Sequence, residues 1–370
     1  MRLFATLGAT RVGKEHLYEI ESKTYSVKIS LLALKEHFGI SDKDVYIIGT
    51  QRTKEVLGDV IEGFNFIQIN EDSLENVFET AVKYIQKDDI VDLTQGFRSF
   101  PFGVFLALNF SKLLKKDPYD VFYAQVMDIG CDYRNETCKH KFVSLKKYLE
   151  IGDLAREING FVSSWYVAPN EIDNFSLIHE NLCTLSKKLL SNNIDVLKEL
   201  SLIQNEISKL KKEFGFLSGH LDLLYSEASG IYAALKNGRE YMKFYEMAKL
   251  YYSKGLLLQT LTMLFEAISA YLADIVPHNF SCRKHDVEYT KRSKNRYAFR
   301  NCVKNTLRSE KGCERWWFKT LRNCKEFRKN LLKIDEMRND SAHAFINKKA
   351  LENFHSEIGE LIWFFGEYMK

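Results

Sequence analysis

Through the first 150 residues, short apolar runs alternate with amphipathic stretches. The segments RLFATLG (2–8), DVYIIGT (44–50), FNFIQI (64–69), DIVDLTQ (89–95) and YDVFYAQV (119–126) are rich in β-branched and aromatic residues, and each predicts a strand. Between them, YSVKISLLALKEHFG and SLENVFETAVKYIQK repeat apolar residues at three- and four-residue spacing, which predicts amphipathic helices. FPFGVFLALNFSKLLKK predicts a more deeply buried helix. Strands of nearly continuous apolar character alternating with helices imply a parallel sheet covered on both faces, a Rossmann-like architecture. From Phe142 onward strand signals fade, and LKKYLEIGDLAREINGFVSSW opens a run of helical periodicity that lasts almost to the last residue. Turns are predicted at 170–174, 191–193 and 215–219. Near residue 240, NGREYMKFYEMAKLYYSKG starts a second helical unit, with a long helix around 247–275 closed by Pro277. A final pair of helices is predicted at about 315–343 and 348–369. The fold class is therefore α/β plus all-α, in three parts: 1–160, a helical linker over 161–240, and 241–370.

Bulk properties narrow the function classes. With 45% hydrophobic and 28% charged residues and only 4 Pro, the chain has the composition of a globular protein. GLLLQTLTMLFEAISAYLADIV is interrupted by Gln259, Glu266 and Asp274, so no membrane span is expected. The start, MRLFATLGATRVGK, has one short apolar run and no small-residue cleavage site, which does not fit a secretory signal. A cytoplasmic protein is expected. The 7 cysteines are scattered and odd in number, so they are expected to form no disulfide framework, in keeping with a reducing compartment. Cys131, Cys138 and His140 lie close together, but no fourth ligand is evident. Cys302, Cys313 and Cys324 recur at the period of a helical repeat, and no metal is expected.

Charge is uneven. The net charge is +4, yet between residues 278 and 338 eighteen Lys/Arg stand against seven Asp/Glu. Such clustering fits a polyanionic partner, above all nucleic acid, although a basic solvated helix face gives the same count. Tyr289, Tyr297, Phe299, Trp316, Trp317 and Phe318 are interleaved with the basic residues and offer surfaces on which bases stack.

Two stretches carry candidate chemistry. In DLTQGFRSFPFG (92–103) a buried strand ends at Asp92, and a polar turn leads into a helix that opens near Ser99 with Pro101 in its first turn. Ligands of open α/β sheets sit just past the carboxyl ends of the strands. Backbone N–H groups at the helix start, with Arg98, suit a phosphate, while Thr94 and Gln95 can read a base or ribose. The loop LGATR after the first strand (Gly8, Ala9, Thr10) and GTQR after the second (Thr50, Gln51) add glycine turns with hydroxyls. Three such loops make a nucleotide cradle of Gly8, Ala9, Thr10, Thr50, Gln51, Thr94, Gln95, Gly96, Phe97, Arg98 and Ser99. Ordinary loops remain the alternative, because no dinucleotide or P-loop fingerprint occurs. The second stretch is EMRNDSAHAF (336–345), which sets Arg338 five residues before His343. Arg11 and His16 have the same spacing, so spacing alone is not diagnostic.

DLTQGFRSFP resembles the strand–turn–helix signature of CARF domains, the Rossmann-like sensors of cyclic oligoadenylate in type III CRISPR systems, where the pattern is D-[IL]-T-H-G-F-R-S-L-P. The small/Thr turn after the first strand and FVSLKKYLEIGDLAREINGF fit the same resemblance, which covers residues 1 to about 160. Gln95 stands where the family commonly has His, which bears on self-cleavage of a bound ligand rather than on binding. YYSKGLLLQTLTMLFEAISAYLADI followed by RNDSAHAF resembles a HEPN domain, an all-α ribonuclease fold whose signature is Arg, a polar residue, three more, then His. Arg11–His16 falls in the sensor's first loop and fails on context. A CARF domain followed by a HEPN domain is the arrangement of the stand-alone ribonucleases of type III systems. The resemblance therefore implies a single-strand endoribonuclease with no metal or other cofactor. Its activator would be cyclic oligoadenylate, cyclic tetra-adenylate favoured over hexa-adenylate.

Helix geometry adds a reason for two copies. Positions five apart differ by about 140° in direction, so Arg338 and His343 do not line one face. Asn339 and His343, four apart, do, and Asn339 can orient the imidazole. Two helices across a twofold axis would gather both arginines and both histidines around one phosphodiester. There His343 would act as general base or acid and Arg338 would stabilise the phosphorane, giving a 2′,3′-cyclic phosphate. Glu266 is a further candidate for support of this site. The rival class is a non-catalytic, cyclic-nucleotide-responsive regulator that only holds nucleic acid; a nuclease acting on DNA is a third.

Overall fold

The structure, a computed structural model of the chain, describes all residues except 10–13, 71–72, 97–98, 114–117, 129, 133–134, 169–171, 237, 277–279, 285–286, 291–295, 310–312, 314–317, 319–320, 343–352 and 370, and except the side chains of 112–113, 282–284, 287–290, 296 and 342. It divides into two compact units, Met1–Gly152 and Asp153–Lys370.

The first unit is built on one mixed sheet of eight strands: β1 (Leu3–Thr6), β2 (His16–Ile20), β3 (Lys23–Val27), β4 (Val45–Gly49), β5 (Asn65–Gln68), β6 (Ile90–Asp92), β7 (Asp120–Val126) and β8 (Lys139–Ser144), in the order β3-β2-β8-β7-β6-β1-β4-β5. The five strands from β7 to β5 are mutually parallel, whereas β8 runs antiparallel to β7 and β3 antiparallel to β2. The helices are α1 (Ser30–Phe38), α2 (Gln51–Leu57), α3 (Leu74–Tyr84) and α4 (Ser99–Leu113). Period-two alternation in β1 decides which side each residue serves. Leu3, Ala5 and Leu7 join Leu31 and Leu34 of α1 and Leu57 of α2 in one core. Phe4 joins Val77 and Ala81 of α3 and Phe100 and Val104 of α4 in the other. The sheet is thus covered on both faces, and Gly103 lets α4 lie close to α3: a Cβ there would meet Leu74 Cδ1 at 2.9 Å.

All five predicted strands are present, but three are added. The hairpin β2–β3 turns at Glu21, which adopts φ 54°, and Ser22. It lacks the Asn-Gly or Asp-Gly pair that announces such a turn. The helix expected from Tyr25 therefore begins only at Ser30, because Tyr25–Val27 belong to the edge strand. In β8, Lys139, His140 and Lys141 hide an alternation that buries His140 and Phe142.

Cys131 and Cys138, in the connection from β7 to β8, are joined in a disulfide, and Cys302 is disulfide-bonded as well. The expectation that the cysteines form no disulfide framework is corrected here: the connection folds back so that the Cα atoms of Cys131 and Cys138 are 5.9 Å apart, within reach of a disulfide. The eleven-residue cysteine spacing is no repeat along one helix either, since Cys302 lies in one helix and Cys324 at the start of another.

In the second unit follow α6 (Ser176–Leu190), α7 (Leu197–Glu213), α8 (Ser218–Lys236), α9 (Glu240–Ser253), α10 (Leu257–Ile275), α11 (Arg296–Arg308), α12 (Cys324–Ala342) and α13 (Phe354–Met369); the boundary between the units falls inside α5 (Lys146–Ser164). A small hairpin, β9 (Ser281–Lys284) and β10 (Val287–Thr290), interrupts the helices where no strand was expected. The single long helix expected over 247–275 is two, because Gly255 turns the chain at φ 70°. The helix expected from residue 315 starts at Cys324. Of its neighbours in the basic stretch, Phe299 and Phe318 are core residues and Tyr297 is exposed, while Trp316 and Trp317 lie outside the described residues. The apolar α10 is the centre of this bundle and packs against α9, α11, α12 and α13.

Candidate functional site

Among the parallel strands, β4 and β5 lie on one side of β1, and β6 and β7, which come later in the chain, lie on the other. The gap past β1 and β6 is therefore the topological switch point of the sheet, where open α/β folds hold their ligands. Gly8 and Ala9 follow β1 there, Thr94, Gln95 and Gly96 follow β6, and Thr50 and Gln51 follow β4 on the next strand over. The loops after β1 and β6 touch: the Thr6 hydroxyl donates to the Gln95 carbonyl. Gly96 has φ 138°, and a Cβ at this position would meet Thr6 Oγ1 at 3.2 Å, so glycine is required for the turn. Ser99 begins α4 and is exposed. Thr10, Phe97 and Arg98 lie outside the described residues.

Several residues of this cradle are already occupied by the fold. The Thr94 hydroxyl accepts from Ala124 N–H at 2.8 Å and its backbone N–H donates to Asp92 Oδ1 at 2.9 Å. Thr50 is 1% exposed and forms a reciprocal cap on α2: its hydroxyl accepts from Thr53 N–H at 3.2 Å, and its own N–H donates to Thr53 Oγ1 at 3.3 Å. These two hydroxyls shape the loops. Gln51, exposed and bonded to Glu55 Oε1 at 3.0 Å, and the half-buried Gln95 present side chains that a ligand can engage. Sequence reasoning missed Asp92 and Ser30 as a pair. Asp92 is buried at the end of β6 and accepts from Ser30 Oγ at 2.7 Å. Burial pushes its carboxyl upward, against the opposing pull of bonds from Thr94 and Ser30. The only signal in the sequence is the acid itself, closing an apolar strand.

The second candidate site lies in the helical unit. Arg338 and Asn339 are in the last turns of α12, and His343 lies outside the described residues. Asn339 is exposed. The Arg338 side chain, 30% exposed, places its guanidinium carbon 4.2 Å from the centre of the Phe265 ring of α10. It also approaches Asp335 Oδ1 at 3.6 Å, one turn earlier on α12. The other oxygen of Asp335 accepts from Arg308 of α11, whose carbonyl in turn accepts from Arg328 Nε at 3.2 Å and Nη2 at 2.9 Å. A second cation shares the Phe265 ring: Lys304 Nζ lies 3.6 Å from its centre and donates to Asn301 Oδ1 at 2.9 Å. Lys304 is only 4% exposed. Burial depresses its ammonium to about 8, with Arg338 and Arg308 pushing the same way and Glu266 and Asp335 opposing. The basic stretch is thus partly an inward-facing cluster around Phe265, not only a solvated face. Periodicity could not show this, since it marks Lys304 as polar without saying where it points.

No family model matches the chain, and no curated protein is similar to it. Among solved structures the chain is similar to Enterococcus italicus Csm6 bound to cyclic hexa-2′-fluoro-hexa-dAMP, with 13% identity, 97% of this chain and 91% of that chain covered, and a TM-score of 0.42. A likeness this distant adds nothing to the geometry above, and the functional reading rests on the chain's own residues.

Proposed function

We propose that the chain is a metal-independent, single-strand endoribonuclease, activated by cyclic oligoadenylate and acting as a homodimer in the cytoplasm in type III CRISPR antiviral defence. The carrying observation is the position of residues 92–96: the stretch that resembles the CARF signature runs from the end of β6 into the loop at the switch point of the sheet. The first turn of α4, Gln95 and Gln51 are the groups for phosphate and base, and Gly96 lets the backbone come close. The sensor spans 1–160, a helical linker 161–240 and the ribonuclease domain 241–370, with cyclic tetra-adenylate the favoured activator.

In the helical domain RNA brings its own nucleophile. His343 takes the proton of the 2′-OH or protonates the departing 5′-oxygen, Asn339 orients its ring, and Arg338 stabilises the charge on the phosphorane. The products are a 2′,3′-cyclic phosphate and a 5′-hydroxyl. His343→Ala is expected to abolish cleavage and leave cyclic-oligoadenylate affinity unchanged, measured by gel assay and calorimetry on the same preparation. Retained turnover would show that the site is elsewhere.

One observation favours a second reading. Arg338 rests on Phe265 and beside Asp335 within its own protomer, as a purely structural arginine would. Under that reading the chain is a non-catalytic, cyclic-nucleotide-responsive regulator, and it would bind RNA with the activator present but leave it intact.

A further inference from the structure

The ribonuclease signature names an arginine and a histidine and says nothing of Lys304, 34 positions upstream of Arg338. Yet both side chains set a cation against one ring, at 3.6 Å and 4.2 Å from its centre. Each cation is drawn to the ring quadrupole, and each repels the other. Asp335 lies 3.6 Å from the guanidinium and is also engaged by Arg308. Among the described residues, the charged groups that act on Lys304 are Glu266 on α10, Arg308 on its own α11, and Asp335 and Arg338 on α12. With Lys304 protonated, three cations stand against two carboxylates, and the cluster carries one positive charge to spare. With Lys304 neutral these charges balance, and Asp335 competes more strongly with an incoming phosphate for Arg338.

We propose that Lys304 is a positioning residue for Arg338: its ammonium, seated on the same ring, offsets the charge of Asp335, so that the guanidinium is available to an RNA phosphate. The role rests on the ribonuclease reading for its substrate, but it does not require that the bound RNA be cut. Lys304 is too deeply buried to touch the phosphate and acts through the ring and the field. Because its ammonium loses its proton near pH 8, phosphate binding is strong below that pH and weakens above it. Binding of the anion in turn favours the protonated lysine, so association near pH 8 takes up a proton.

The test uses the full chain with cyclic tetra-adenylate and a fluorescent single-stranded 2′-O-methyl oligonucleotide, which binds but has no free 2′-OH. Anisotropy is read from about pH 6.5 to about pH 9.5, alongside cleavage of the unmodified RNA. The wild-type protein is expected to lose about tenfold in affinity across pH 8. Lys304→Met is expected to bind weakly with no step, and Lys304→Arg, which keeps its charge, to stay tight to the top of the range. Thermal melting checks that each variant folds; if Lys304→Met does not, the absence or presence of the step in Lys304→Arg decides. A step that persists in either variant, or a flat wild-type profile, overturns the proposal. Absent cleavage with the binding step intact would instead remove the ribonuclease reading and leave the role of Lys304 standing.

Discussion

Phe265 carries two cations on one buried ring, and that single side chain sets the geometry of the candidate ribonuclease site. A ring-to-cation contact that is partly desolvated contributes about 1–2 kcal/mol, a large share of what positions a flexible arginine. Phe265→Leu keeps an apolar side chain in the core but removes the quadrupole. It is expected to lower cleavage about tenfold, with the circular dichroism spectrum unchanged. The same site makes stability depend on pH in a defined direction. Folding lowers the Lys304 ammonium from its ordinary value near 10.5 to about 8, so between these values the unfolded chain binds more protons. Wild-type stability therefore carries a gain from Lys304 of up to about 3 kcal/mol as pH rises from 8 to 10.5, and Lys304→Met lacks that gain. Urea denaturation of both proteins at the two ends of this window measures it. At the sensor edge, Asp92 holds the Ser30 hydroxyl and the Thr94 N–H away from water. Asp92→Ala leaves both donors without their acceptor, costs about 1–3 kcal/mol and loosens the loop that ends at Gly96. The fall should appear in thermal melting together with weaker cyclic-oligoadenylate binding. These residue roles were only half legible beforehand. Thr94 and Thr50 are plainly polar loop residues, but Ala124, thirty positions away, is what occupies the Thr94 hydroxyl, and no local pattern announces that.

Among the elements, α10 is the scaffold that aims the site, and α13 shows how closely the bundle is packed around it. A Cβ at Gly366 would lie 2.2 Å from the Tyr245 hydroxyl, which donates to Ile362 O at 3.0 Å. Gly366→Ala gains about 1 kcal/mol of helix propensity but must displace a buried ring and break that bond. The second effect is the larger, so the variant is expected to melt several degrees lower by calorimetry. Strands β1 and β4 were legible because both of their faces are buried and their residues are almost uniformly apolar. The hairpin β2–β3 was not: its outer strand is mostly exposed, and Glu21-Ser22 is not a turn pair that stands out. Likewise the break between α9 and α10 rests on one left-handed glycine within continuous helical periodicity. Where tertiary contacts override local pattern, as at Tyr25, the sequence reads as helix and the chain forms a strand.

At the scale of the whole chain, two different chemistries occupy two compact units. An α/β unit offers a glycine-lined loop at its switch point, and a helical unit offers a guanidinium with its supporting charges. That division was visible in the periodicity and in the two motif stretches, whereas the inward turn of the basic cluster was not, because charge along a sequence carries no direction. Under the proposed function, occupation of the first unit licenses RNA cleavage by the second. The most direct measurement is cleavage of an end-labelled single-stranded RNA by the purified chain in EDTA, alone, with cyclic tetra-adenylate and with cyclic hexa-adenylate. The expected result is cleavage that rises strongly with one of the two ligands and leaves 2′,3′-cyclic phosphate ends. Cleavage that is absent, or equal with and without both ligands, would contradict the account.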